Sequence, residues 1–163
     1  MENVRENFEK ALRHSEETFR NIVTNTREYI CSYSLNGKIT YCNPYFIEKF
    51  GYSENELIGK ELASLIDEEY LDNNYVDLNI VRKESSTSSE LPLKKKNGEK
   101  IYTLANFTTV SDLQGSPRYH IAVLTDVSDK KKSEQDLNLI RSVFETAHEG
   151  IILVQHGKIT LAN

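Results

Sequence analysis

Hydrophobic positions in the first 26 residues fall at Val4, Phe8, Ala11, Leu12, Phe19, Ile22 and Val23, a helical spacing with a narrow apolar seam and a charged remainder. A helix of this kind is not stable alone, so it must pack on a domain or on a second copy of itself. From Tyr29 the period falls to two. Residues 29–35 and 38–42 read as strands joined at Asn36-Gly37, a strong hairpin signal. A two-residue turn there sets Leu35 opposite Lys38, Tyr33 opposite Thr40 and Cys31 opposite Cys42, with Ile39 and Tyr41 on one face. Counted outward from that turn, the two cysteines form a hydrogen-bonded pair. Small apolar packing is the expectation for them, rather than a redox switch.

Asn43-Pro44 then opens a short helix, the asparagine capping orphan amides and the proline fitting the first turn. Phe46, Ile47 and Phe50 recur at helical spacing, and Gly51 closes the helix in a left-handed cap. Ser53 with Glu56 forms a capping box for a second short helix bearing Leu57 and Ile58, ended by Gly59. Residues 62–66 and 68–83 continue in helical spacing, with Tyr70, Leu71, Tyr75 and Leu78 apolar, up to a polar break at residues 85–89. Three more strands follow at 90–96, 101–110 and 118–127, the first an edge strand because of Pro92, with turns at Asn97-Gly98 and residues 112–117. The succession gives an α+β fold, a five-stranded antiparallel sheet with short helices on one face, flanked by N- and C-terminal helices. Ser128 is a natural cap for the last helix, whose Leu137, Ile140, Phe144 and Ala147 form a short seam.

Asn43-Pro44, Phe46, Phe50-Gly51-Tyr52-Ser53 and Glu56-Leu57-Ile58-Gly59 resemble the core signature of PAS sensory-box domains. Lys96-Asn97-Gly98-Glu99-Lys100 and Thr125-Asp126-Val127-Ser128 resemble the C-terminal PAC motif of the same family. The resemblance covers residues 19–129. It implies a sheet and short helices enclosing a cavity, with the flanking helices transmitting its state, and a relay at Asp126, Val127 and Ser128 where the sheet meets the output helix. Such modules sit upstream of histidine kinase, cyclic-dinucleotide or transcriptional output domains. The implied function is a sensory input domain, most often of a histidine kinase. The alternative is a ligand-free dimerisation module of a diguanylate cyclase or transcriptional regulator.

The cavity lining expected from the sequence is Ser32, Ile39, Tyr41, Phe46, Ile47, Phe50, Tyr75, Leu78, Tyr102 and His120; the same residues equally fill an ordinary core. A small, partly apolar ligand is the implied occupant, its identity unknown. The flavin-photosensing motif of the family needs a cysteine that residues 61–72 lack, and the haem-binding members need a histidine that residues 68–83 lack, so flavin and haem are disfavoured. His120, mid-strand, reads as a satisfied strand histidine rather than an iron ligand. No metal-ligand spacing links the cysteines and histidines, and no nucleophile, base and oxyanion donor come together, so catalysis within the segment is not expected.

Charge narrows the partners. A net charge of −5 disfavours nucleic acid, and the run Lys94-Lys95-Lys96 is a solvated strand end. No apolar run reaches membrane-spanning length, so the segment is expected to be cytoplasmic and to make no membrane contact. Homodimerisation through the flanking helices is the expected assembly. Residues 19–30 recur at 140–151, and Gly37-Lys38-Ile39-Thr40 returns as Gly157-Lys158-Ile159-Thr160, with Asn163 where Asn43 stood. The reading is therefore a dimerisation helix at 1–18, a sensory domain at 19–129, and at 130–163 a linker helix and the truncated start of a second repeat within a modular protein. Residues 151–163, lacking the rest of their sheet, are expected to be frayed, disordered or paired with another chain.

Overall fold

The computed structural model describes residues 2–73, 88–146, 152–155 and 158–162. Contacts divide the chain into two units, Met1–Asp126 and Val127–Asn163. The first unit contains α1 (Glu2–Asn25), β1 (Tyr29–Ser34), β2 (Ile39–Cys42), α2 (Pro44–Phe50), α3 (Glu54–Leu57), a 3-10 turn at Leu62–Leu65, α4 (Glu68–Asn73), β3 (Ser88–Lys94), β4 (Lys100–Ser111) and β5 (Pro117–Asp126). The five strands form one antiparallel sheet in the order β2-β1-β5-β4-β3. Alternation along β4 and β5 puts Ile101, Thr103, Ala105, Phe107, His120, Ala122 and Leu124 on the buried face.

β2 and β3 are the edges, and the helical connection between them covers both. At β2, the Ile39 amide donates to the Lys60 carbonyl at 2.9 Å and Gly59 donates to Ile39 at 2.8 Å; at β3, Asp67 donates to Pro92 at 3.0 Å. Edge groups that would otherwise template aggregation are thereby satisfied, and the short helices are held over one face of the sheet. Pro92 lies on an edge strand, as its missing N–H requires. Lys96 adds a further tie, its amide donating at 3.0 Å to the Phe50 carbonyl at the end of α2.

The turn at Asn36-Gly37 differs from the two-residue form expected. Ser34 donates to Lys38 at 2.9 Å and Gly37 to Ser34 at 2.8 Å, so the loop holds three residues, with Gly37 in the left-handed region at φ 83°. A type I turn followed by a left-handed residue is the alternative Asn-Gly supports. The Asn97-Gly98 turn closes the same way, through Lys95 to Glu99. The extra loop residue would displace the cysteines, but a bulge restores them: Tyr33 pairs with Ile39, Ser32 with Tyr41 and Cys31 with Cys42, leaving Thr40 unpaired. Two consequences correct the sequence reading. Ile39 is buried while Tyr41 is exposed, so they do not share a face. Asn43 donates its amide to the Ile30 carbonyl at 2.9 Å, which makes Cys31 and Cys42 a non-hydrogen-bonded pair.

In the second unit, α5 spans Ser128–Thr146, β6 Ile152–Gln155 and β7 Lys158–Ala162. Ser128 is the first helical residue rather than the cap. β6 and β7 pair with each other as a two-stranded antiparallel sheet, in place of the frayed or borrowed strands expected. Their register shifts between Leu153 and Val154, leaving Thr160 unpaired as Thr40 is in the first hairpin. The repeated Lys-Ile-Thr thus carries the same bulge twice.

Candidate functional site

The inner face of the sheet carries one polar row among aromatic rings. Tyr33, His120 and Thr109 lie side by side across β1, β5 and β4. The Tyr33 ring centroid is 5.1 Å from that of His120, and Thr109 Oγ1 is 2.9 Å from His120 Nδ1. Phe107 meets Tyr33 edge-on at 6.5 Å. Burial lifts the Tyr33 phenol well above its ordinary range, with Cys31 adding to the shift. Next in register comes Cys31 opposite Ala122, and Ala122 opposite Phe107, small residues that leave room for the rings beside them.

α2 forms the facing wall. Phe46 and Phe50, one turn apart, stack at 4.2 Å, and Tyr29 from β1 meets Phe50 edge-on at 5.2 Å and stacks on Tyr45 at 5.3 Å. Gly51 caps the helix at φ 73°, its amide donating to Ile47. The Ser53–Glu56 capping box forms, and Glu56 also meets Lys96 Nζ at 2.7 Å. Hydrogen bonds from Lys96 and then Ser53 hold the Glu56 carboxyl down at about 2. This ion pair joins the two halves of the sequence signature in space.

Of the residues expected to line a cavity, Ile39, Phe46, Phe50 and His120 are buried, and Ile47 packs against the core cluster that holds the first three. Ser32, Tyr41 and Tyr102 are not with them. Ser32 and Tyr102 alternate with buried neighbours along β1 and β4, and the Thr40 bulge sends Tyr41 outward. Tyr75 and Leu78 lie outside the described residues. Ser32 and Tyr41 instead line a groove of about 460 Å³ on the outer face, with Phe19 of α1, Ile30, Tyr119 and Ile121. Ser32 Oγ and Thr40 Oγ1 hydrogen-bond at 2.9 Å at this groove.

Asp126, at the end of β5, accepts a hydrogen bond from the Tyr29 hydroxyl at 3.0 Å. Burial, then that bond to Asp126, raises the Tyr29 phenol above its usual range. Val127 and Ser128 begin the second unit. Sequence reasoning missed Tyr29, whose position is legible only from tertiary pairing, and took Asn43 for a helix cap alone. The cysteines are free and buried. Burial drives both thiols up, Cys31 well above its ordinary value and Cys42 to about 12, so neither is a ready nucleophile. Among the described residues, no group of three His, Cys, Asp or Glu could hold a metal ion, and no helix is long and apolar enough to cross a membrane.

Residues 27–129 match the family described as PAS domain. A curated relative, the probable diguanylate cyclase DgcE of Escherichia coli K12, is 27% identical over 128 residues, covering 77% of this chain; the matched region is 12% of the relative's length. Among solved structures, an RNA-binding Light-Oxygen-Voltage receptor superposes with a TM-score of 0.65 at 16% identity, over 78% of this chain and 37% of the other. The PAS domain of an HTR-like protein from Haloarcula marismortui gives 0.58 at 19% identity over 74% and 98%. The PAS domain of a two-component sensor histidine kinase gives 0.57 at 15% over 70% and 97%. At these identities the structural likeness establishes the fold alone.

Proposed function

The chain belongs to the PAS domain family, and on that premise we propose that it senses a small, partly apolar ligand on the inner face of its sheet and relays occupancy through its flanking helices. The observation that carries this reading is the row Tyr33, His120, Thr109: polar groups converge on a buried aromatic surface, where apolar side chains would pack more cheaply. Ile39, Phe46, Phe50 and His120 are its proposed lining, with Ile47 beside them. Asp126 is the proposed exit of the signal, since its partner Tyr29 also touches α2 through Tyr45 and Phe50, and Val127 and Ser128 lead into α5.

The parent protein is proposed to be modular, with a second domain of this kind following α5. The matching bulges at Thr40 and Thr160 support that reading. Its output is read as a histidine kinase. The likeness to a probable diguanylate cyclase favours the second reading, a cyclic-dinucleotide output.

Native mass spectrometry of the freshly purified chain, compared with its denatured mass, tests ligand binding. Extra mass lost on denaturation supports a sensor. A bare mass, together with a Tm that no small apolar or aromatic compound raises in a thermal-shift screen, supports a ligand-free assembly module.

A further inference from the structure

Asn43 is fully buried, and its carboxamide makes four hydrogen bonds. Nδ2 donates to the Val23 carbonyl at 3.1 Å and to the Glu28 carbonyl at 3.0 Å. Oδ1 accepts from the amides of Ile30 and Phe46, both at 3.1 Å. That uses the full capacity of an asparagine, and only this orientation matches donors to acceptors. The Val23 carbonyl is one of the unsatisfied groups at the C-terminus of α1, and the Phe46 amide one of those at the N-terminus of α2. One side chain therefore caps two helices at opposite ends.

Val23 is singular in a second way. Among the described residues of α1 it alone is buried, at 4% exposure. In the internal repeat its counterpart is Phe144, which is likewise the one buried residue among those described in α5. The sequence sets Asn163 at the counterpart of Asn43.

We propose that Asn43 is a helix lock, which makes docking of the last turn of α1 and closure of the first turn of α2 a single event. If α1 leaves, a buried NH2 group loses an acceptor, and rotation of the carboxamide toward another one withdraws Oδ1 from Phe46. By linkage, loosening the start of α2 must release α1 by the same factor. A signal arriving along α1 would then reach the aromatic wall at Phe46 without passing through the sheet. This deepens the relay part of the reading above but does not depend on a ligand.

Amide exchange followed by NMR on the whole chain tests it with two variants. Asn43→Asp keeps both acceptor roles and is a good cap, but it removes both donors and sets a carboxylate against two carbonyls. Exchange at residues 21–26 is expected to accelerate at least tenfold, with Ile47 and Phe50 within threefold of wild type. Thr24→Pro attacks from the other side, breaking the exposed last turn of α1 without replacing a buried side chain. It is expected to accelerate exchange at Ile30 and Phe46 at least tenfold while central β4 and β5 amides stay protected. Unchanged exchange at Phe46 in Thr24→Pro, or unchanged exchange at 21–26 in Asn43→Asp, overturns the lock. If Asn43→Asp exposes β4 and β5 as well, Thr24→Pro decides alone. Failure of the sensory reading would leave both results as they are.

Discussion

At the scale of single residues, the ionisable groups make two sharp statements. Glu56 is held down at about 2, chiefly by Lys96 and Ser53, and Glu99 is lowered by Lys95 and Asn97. A carboxylate depressed in the folded state stabilises it above the unfolded value and loses that contribution as pH falls toward the folded one. Urea midpoints of the wild type are therefore expected to fall between about pH 5 and pH 2, and Glu56→Gln to flatten that interval. The Glu56→Gln/Glu99→Gln double variant should flatten it further. Equal slopes in all three would place the acid sensitivity elsewhere. The cysteines give the second statement. With the Cys42 thiol at about 12 and burial holding Cys31 well above its ordinary value, both should resist Ellman's reagent at pH 8 in the native protein and react once urea unfolds it. Rapid reaction of either thiol in the native state would contradict this.

At the scale of elements, the turns decide what sequence could convey. β1, β4 and β5 were legible from their period of two, which β2 and β3 do not keep, and α2 from its caps, because those signals are local. The face of Tyr41 was not. Asn-Gly permits both a two-residue and a three-residue loop, and the choice, with the compensating bulge at Thr40, is settled by fitting Cys31 and Cys42 to a buried face. The misplaced site residues follow from that one choice for Tyr41 and from the parity of β1 and β4 for Ser32 and Tyr102. His120 lies on the buried face, and Thr109 and Tyr33 become its neighbours only through the pairing of distant strands. Gly37 offers the test. An added Cβ there would meet nothing within 4 Å, so its φ of 83° is the only obstacle to a side chain. Gly37→Ala should cost about 1 kcal/mol in chemical denaturation and Gly37→Asn less, since asparagine tolerates that region. A neutral Gly37→Ala would mean that the loop reverts to another turn.

At the scale of the whole molecule, α1 poses the question that its own domain leaves open. It spans 24 residues yet buries only Val23 among those described, while Leu12, Phe19 and Ile22 remain 52%, 62% and 64% exposed. Phe8, Leu12, Ser15, Phe19 and Ile22 step along it by four, three, four and three residues, the spacing of a two-stranded seam. An isolated helix with such a stripe gains little from staying helical, and two of them gain the burial of every apolar group on it. A homodimer through α1 is the expected assembly on these grounds, and it is measurable. Sedimentation velocity across a range of concentrations should show reversible self-association. Burying a phenylalanine contributes about 1.5–3 kcal/mol, so Phe19→Asp should weaken dimerisation by about tenfold to a hundredfold or more. Because Phe19 is exposed, the urea midpoint of the dissociated domain should change by less than about 0.5 kcal/mol equivalent. A wild type that stays monomeric at several hundred micromolar would assign the stripe to another partner, and dimerisation unaffected by Phe19→Asp would move the interface off α1.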